Sequence, residues 1–136
     1  MKKLVIVSGL VIAVVTITYL LLPYEDEMSY RESDMVRYHL YTPASIKQAP
    51  RLSQDYIFSH SAANGQPESN GVCFSGVSDA AALKQYLVSR DFIFTRKVAT
   101  GELWTSDRNP NVYFTITRNI SPDLDPPFPD SFCILS

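Results

Sequence analysis

Side chains capable of nucleophilic or acid–base chemistry are sparse in this chain, and their spacing limits what they can do. The two histidines are His39 and His60, the latter between Ser59 and Ser61. A serine nucleophile needs a histidine base and an orienting carboxylate held together in space. Nothing in the sequence completes such a set, so Ser59-His60-Ser61 reads as polar residues closing a strand. Carboxylates gather instead in one loop, at Asp123, Asp125 and Asp130. Hydrolysis by paired carboxylates requires groups on opposed walls of a cleft, which a single proline-stiffened loop does not supply. As a calcium loop the Asp-x-Asp start lacks the glycine and closing glutamate of an EF-hand. The five glycines, at 9, 65, 71, 76 and 101, are too scattered for a phosphate-binding loop. The expectation is a protein that is not an enzyme and holds no metal or cofactor.

Cys73 and Cys133 are the only cysteines. Outside the cytosol two cysteines in strand-like contexts pair more often than they catalyse, and closing the 60 residues between them would contribute on the order of 4 kcal/mol in the chain-entropy account. Two buried free thiols and a metal pair are the competing readings, and the metal pair lacks neighbouring ligands at suitable spacing. A disulfide between Cys73 and Cys133 is expected.

That pairing needs an oxidising compartment, and the N-terminus supplies a reason to expect one. Residues 4–22, from Leu4 to Leu22, carry no charge and end at Pro23. A helix of this length rises roughly 28 Å, close to the hydrocarbon thickness of a bilayer. The run is longer than a signal-peptide core and ends Tyr19-Leu20-Leu21-Leu22-Pro23 without a small-x-small cleavage site. An uncleaved anchor is therefore expected. Lys2 and Lys3 precede it, so the positive-inside rule leaves residues 1–3 in the cytoplasm and residues 24–136 outside a bacterial inner membrane, in the periplasm. Setting those two lysines aside, 10 basic residues face 14 acidic ones, a formal charge of −4 on the outer part. An acidic, interspersed surface argues against nucleic acid as a partner.

The outer part is long enough for one domain. Residues 23–50 read as a juxtamembrane stalk: Tyr24 to Asp34 are polar without sustained period, and Val36 to Tyr41 alternate as a short edge strand before Pro43. The domain proper is expected over 51–136. Asp55–His60 forms a weak strand, and a turn-rich loop follows to Asn70. Val72–Gly76 is a strand. Ala82, Leu83, Tyr86 and Leu87 then share one face of a helix from about Asp79 to Ser89. Phe92–Val98 and Glu102–Ser106 read as a hairpin, Val112–Arg118 alternates strictly, and Ser131–Leu135 closes the chain. From residue 71 the order β-α-β-β-β-β predicts an α+β fold, an antiparallel sheet with one helix on a face, with Val72–Gly76 and Ser131–Leu135 tied by the disulfide.

What remains for function is surface. Leu124 and Phe128 stand between Asp123, Asp125 and Asp130 on a backbone stiffened by Pro122, Pro126, Pro127 and Pro129. Such a backbone loses little entropy on binding. Trp104 and Tyr113 are assigned to the sheet face away from Phe114 and Ile116, where aromatic residues suit an interface. The expectation is a membrane-anchored module that binds a protein, most concretely an immunity protein neutralising a secreted toxin. The runner-up is a structural accessory subunit of a secretion or division complex in the envelope.

Overall fold

The computed structural model describes residues 2–21, 27–62, 65, 67–119 and 131–136, with side chains for all of these except 2–6, 19–21 and 119. Along the chain run α1 (Lys2–Leu21), β1 (Glu27–Tyr30), α2 (Met35–Tyr41), α3 (Ala44–Lys47), β2 (Tyr56–Ser61), β3 (Ser69–Ser75), α4 (Ala81–Val88), β4 (Ile93–Val98), β5 (Gly101–Thr105), β6 (Tyr113–Asn119) and β7 (Ser131–Leu135). The seven strands form one antiparallel sheet in the order β1-β2-β3-β7-β6-β5-β4. The α+β class and the single antiparallel sheet thus agree with the sequence reading.

Alternation along the strands separates two faces. Tyr30, Phe58, Val72, Phe74, Ile134, Ile116, Phe114 and Trp104 point to one side and are buried there. Ile46 of α3 and Leu83 and Leu87 of α4 complete this core, with Phe92 where the chain leaves α4. Three short helices therefore cover the face, where one was expected. The Tyr86 hydroxyl of α4 donates to the Ser45 carbonyl of α3 at 2.5 Å, joining the two helices over the sheet. The opposite face mixes small polar residues, among them Ser59, Ser75, Thr115, Thr117 and Ser131, with Ile57, Leu103, Leu135, Tyr113 and Ile93, and the core contacts of α2, α3 and α4 are all on the first face.

On that open face Cys73 and Cys133 sit directly opposite each other across β3 and β7, joined by a disulfide with Cα atoms 4.0 Å apart. Among the described residues no free cysteine remains.

Two segments differ from expectation. Within the supposed stalk, Glu27–Tyr30 is a strand paired to β2, with Tyr30 buried and its hydroxyl 2.9 Å from Thr42 Oγ1. Four residues are too few for their alternation to stand out in sequence. The expected edge strand at 36–41 is instead the helix α2. Asp34 caps it, its Oδ1 accepting from the Arg37 amide at 3.2 Å and its Oδ2 from Arg37 Nη1 at 3.2 Å. In a window this short, apolar residues at 36, 38 and 40 satisfy period 2, while Tyr38 and Tyr41 satisfy the helical spacing. The cap and the tyrosine contacts favour the helix.

Helix α1 is exposed at every residue from 7 to 18, and Thr16 and Thr18 return their hydroxyls to the carbonyls of Ile12 and Val14 at 2.8 and 2.7 Å. Among the described residues no helix is long and apolar enough to cross a membrane.

Close strand packing yields a direct test. Gly101 faces Thr117, and a Cβ there would fall onto the Ile116 carbonyl and within 2.8 Å of the Thr117 Cα. Gly101→Ala should lower stability by roughly 1–3 kcal/mol, the usual cost of overpacking a fitted site. Urea unfolding checks this, and an unchanged midpoint would mean that β5 and β6 lie farther apart.

Candidate functional site

Strand β4 ends the sheet order, so the outer side of its backbone has no partner strand among the described residues. It reaches that position through a left-handed turn at Asp91, with φ 64°, after α4. Arg108 steadies the turn by donating to Asp91 Oδ2 at 2.6 Å. The strand carries a bulge between Phe94 and Arg96, and Thr95 Oγ1 lies 2.7 Å from Thr105 Oγ1.

Two aromatic or apolar rows lead to this edge. On the helix-bearing face, Phe114 pairs with Trp104 and Trp104 with Phe94. Phe92 packs edge-on against Phe114 with ring centroids 4.9 Å apart, and Phe94 meets Trp104 edge-on at 6.1 Å. Trp104 is 6 % exposed, whereas Phe94 at the rim is 47 % exposed. On the open face, Tyr113 pairs with Thr105 and Thr105 with Ile93; Tyr113 is 46 % and Ile93 59 % exposed. Tyr113 also lines a recess of about 480 Å³ with Val112, Pro43 and Pro67.

These positions correct one sequence assignment. Trp104 does not lie on the face away from Phe114 and Ile116; it shares their face and is buried. Directly opposed residues of an antiparallel pair point the same way, and Trp104 opposes Phe114. Tyr113 does lie on the other face. Asp123, Leu124, Asp125, Phe128 and Asp130 fall outside the described residues. Ile93 and Phe94 escaped the sequence reading because their segment resembles any half-buried strand. Edge position comes from strand order, which periodicity does not carry.

The second half of β4 is basic. Arg96 and Lys97 are exposed, and Lys97 lines a recess of about 560 Å³ with Lys84, Arg118, Asp79 and Glu102. Lys84 Nζ donates to Glu102 Oε1 at 2.8 Å, and the Arg118 guanidinium lies over the Phe132 ring at 5.7 Å. Three cationic side chains thus face two carboxylates. The edge offers backbone groups without a partner strand among the described residues, apolar contacts at Ile93 and Phe94, and a cationic border at Arg96 and Lys97. That chemistry suits addition of an extended, partly acidic strand.

The sequence's catalytic candidates are arranged otherwise. His60 is buried on the helix-bearing face, its Nδ1 donating to Asn70 Oδ1 at 2.8 Å, with the Tyr41 ring 4.6 Å away. Ser59 and Ser61, its chain neighbours, point to the opposite face. His39 lies exposed on α2, with Nδ1 donating to the Met35 carbonyl at 2.9 Å. Among the described residues no three His, Cys, Asp or Glu side chains gather as metal ligands.

One further polar cluster joins the turn after β1 to β2. The Tyr56 hydroxyl donates to Glu32 Oε2 at 2.6 Å, and Arg51 Nη2 stands 3.9 Å from Glu32 Oε1 while its guanidinium lies 5.1 Å from the Tyr56 ring centre. The Tyr56 hydrogen bond holds Glu32 below the ordinary carboxylate range, with Tyr38 and Arg51 acting in the same direction against partial burial. Conversely, Glu32 raises the Tyr56 hydroxyl, and burial followed by Glu32 raises that of Tyr38. A carboxylate depressed in the folded state contributes stability above its unfolded pKa, near 4.5, and loses it as pH falls through the folded value. Glu32→Gln should therefore flatten the acid limb of the stability curve below that point. Urea midpoints at neutral and acid pH test this, and an equally steep acid limb in the variant would assign the loss to other groups.

No known protein family, curated protein or solved structure matches this chain.

Proposed function

We propose that this chain is a membrane-anchored protein-binding module whose domain recognises its partner along β4, and that its concrete role is to neutralise a toxin at the outer face of a bacterial inner membrane. The observation that carries the binding role is the exposure of Ile93 and Phe94 on an edge strand whose outer side has no partner strand among the described residues. Lysine and arginine on edge strands discourage indiscriminate pairing. Here Arg96 and Lys97 guard only half of the strand, and the apolar half is left open to a partner that also satisfies the charges. A bound strand would gain main-chain hydrogen bonds from the edge and specificity from contacts to alternate side chains.

The anchor is proposed from the uncharged run Leu4–Leu22. Exposure of α1 from residue 7 to 18 is compatible with a lipid environment, as are the Thr16 and Thr18 hydroxyls satisfied within the helix. The Cys73–Cys133 disulfide favours an oxidising location for the domain. An anchored inhibitor is concentrated where a wall- or membrane-directed toxin acts. The sequence's acidic loop, with Leu124 and Phe128, is the second proposed contact.

Rescue of growth tests this reading. Cells exporting the toxin encoded beside this gene should survive when the full chain is produced. Phe94→Asp should abolish survival at unchanged protein abundance, and Arg96→Glu should weaken it. Survival lost with Phe128→Asp but kept with Phe94→Asp would move the contact from β4 to the loop. No rescue by the parent chain, with fixed-ratio co-purification of several envelope proteins, would instead identify an accessory subunit.

A further inference from the structure

Helix α2 turns two different faces to its surroundings. Its inner face packs on the sheet: the Tyr38 ring lies 5.1 Å from Phe58, and the Tyr41 ring 4.6 Å from His60. The outer face carries Met35, Val36, His39 and Leu40, which fall together at helical spacing. Met35, Val36 and Leu40 are 68, 69 and 70 % exposed. His39 directs one ring nitrogen to the Met35 carbonyl within the helix, so the face presents few polar groups of its own. Three large apolar side chains on seven residues of helix form a continuous patch, with a favourable burial free energy still unrealised.

The position of the patch identifies what covers it. Phe58 pairs with Tyr30 and His60 with Met28, so the Tyr41 end of α2 lies over the start of β1, where the chain arrives from α1. Leu40 lies at that end. From Leu21 to Glu27 the chain takes six steps, which reach at most about 22 Å even when fully extended. If α1 is anchored, the start of β1 and the Leu40 end of α2 are tethered close to the bilayer. Charge does not favour a lipid-headgroup attraction, because Glu25, Asp26 and Glu27 are all acidic. The contact that fits is apolar insertion into the headgroup–acyl boundary.

Resting on the anchored reading, we infer that Met35, Val36 and Leu40 form a membrane-contact patch that seats the domain on the lipid surface. The patch looks away from the sheet, so seating it turns the open face, which carries Ile93, away from the lipid. Six strand spacings separate β1 from β4, roughly 29 Å at the usual interstrand distance. Ile93 and Phe94 are thereby held at the edge farthest from the tether, open to a partner.

Depth-dependent quenching tests the patch. The full chain carrying Leu40→Trp, or Ile93→Trp as control, is reconstituted in phosphatidylcholine vesicles with or without brominated acyl chains. The emission of the parent chain, which contains Trp104, is subtracted. Position 40 should be quenched several-fold more than position 93, with little dependence on salt or on added anionic lipid. Equal quenching at the two positions, in protein that resists alkaline carbonate extraction, would overturn the patch and leave the anchor standing. Release of the parent chain by carbonate would remove the anchor and the patch with it. A blue shift at position 40 without bromine quenching would assign the patch to a protein surface or a second copy of the chain, and would also overturn the proposal.

Discussion

The pairing of β3 with β7 is the contact on which the rest of the architecture depends. Strands β1 to β3 form one antiparallel unit and β4 to β7 another, and the sheet joins them only along β3 and β7. Ordering a contact between residues 60 apart costs loop-closure entropy before any packing is gained. Two features offset that cost. Val72 meets Ile134 and Phe74 meets Phe132 on the covered face, while Cys73 and Cys133 lock the same register covalently on the open face. Gly71, opposite Leu135, lets the strands approach where a Cβ would strike the Leu135 side chain and the Ile134 carbonyl. With the seam open, α4 would cover only half a core, since Leu83 and Leu87 belong to a cluster drawn from both units.

A seam in the middle of the sheet places the two terminal units outward from it. β1 becomes one edge and β4 the other, so the strand that follows the N-terminal helix and the strand with exposed Ile93 and Phe94 are as far apart as the sheet allows. The proposed function uses this polarity: attachment at one edge, recognition at the other. At the recognition edge Phe94 is backed by Trp104, and Trp104 stands beside Phe114 in the core. A rim residue backed in this way presents a contact at low entropic cost.

Legibility in the sequence follows the length and redundancy of the local signal. The helix near residues 79–89 announces itself through Leu83 and Leu87 at one-turn spacing, and β6 through unbroken alternation from Tyr113 to Thr117. The disulfide followed from there being two cysteines in strand-like settings. By contrast, β1 is four residues long, and α2 satisfies two periods at once until Asp34 and the packing of Tyr38 decide between them. Trp104 was assigned to the wrong face because its side depends on register against Phe114, a non-local fact. The edge residues Ile93 and Phe94 are ordinary strand residues until the strand order shows that no described strand flanks them on their outer side.

The most direct test of the β3–β7 seam is the thiol state of Cys73 and Cys133 in the protein as cells make it. Cells are quenched in acid, the chain is denatured in excess alkylating reagent, and its intact mass is measured before and after reduction. A closed seam gives no added alkyl group before reduction and one on each of the two cysteines afterwards. Alkylation of both thiols without reductant would contradict the covalent seam and, with it, the oxidising location proposed for the domain.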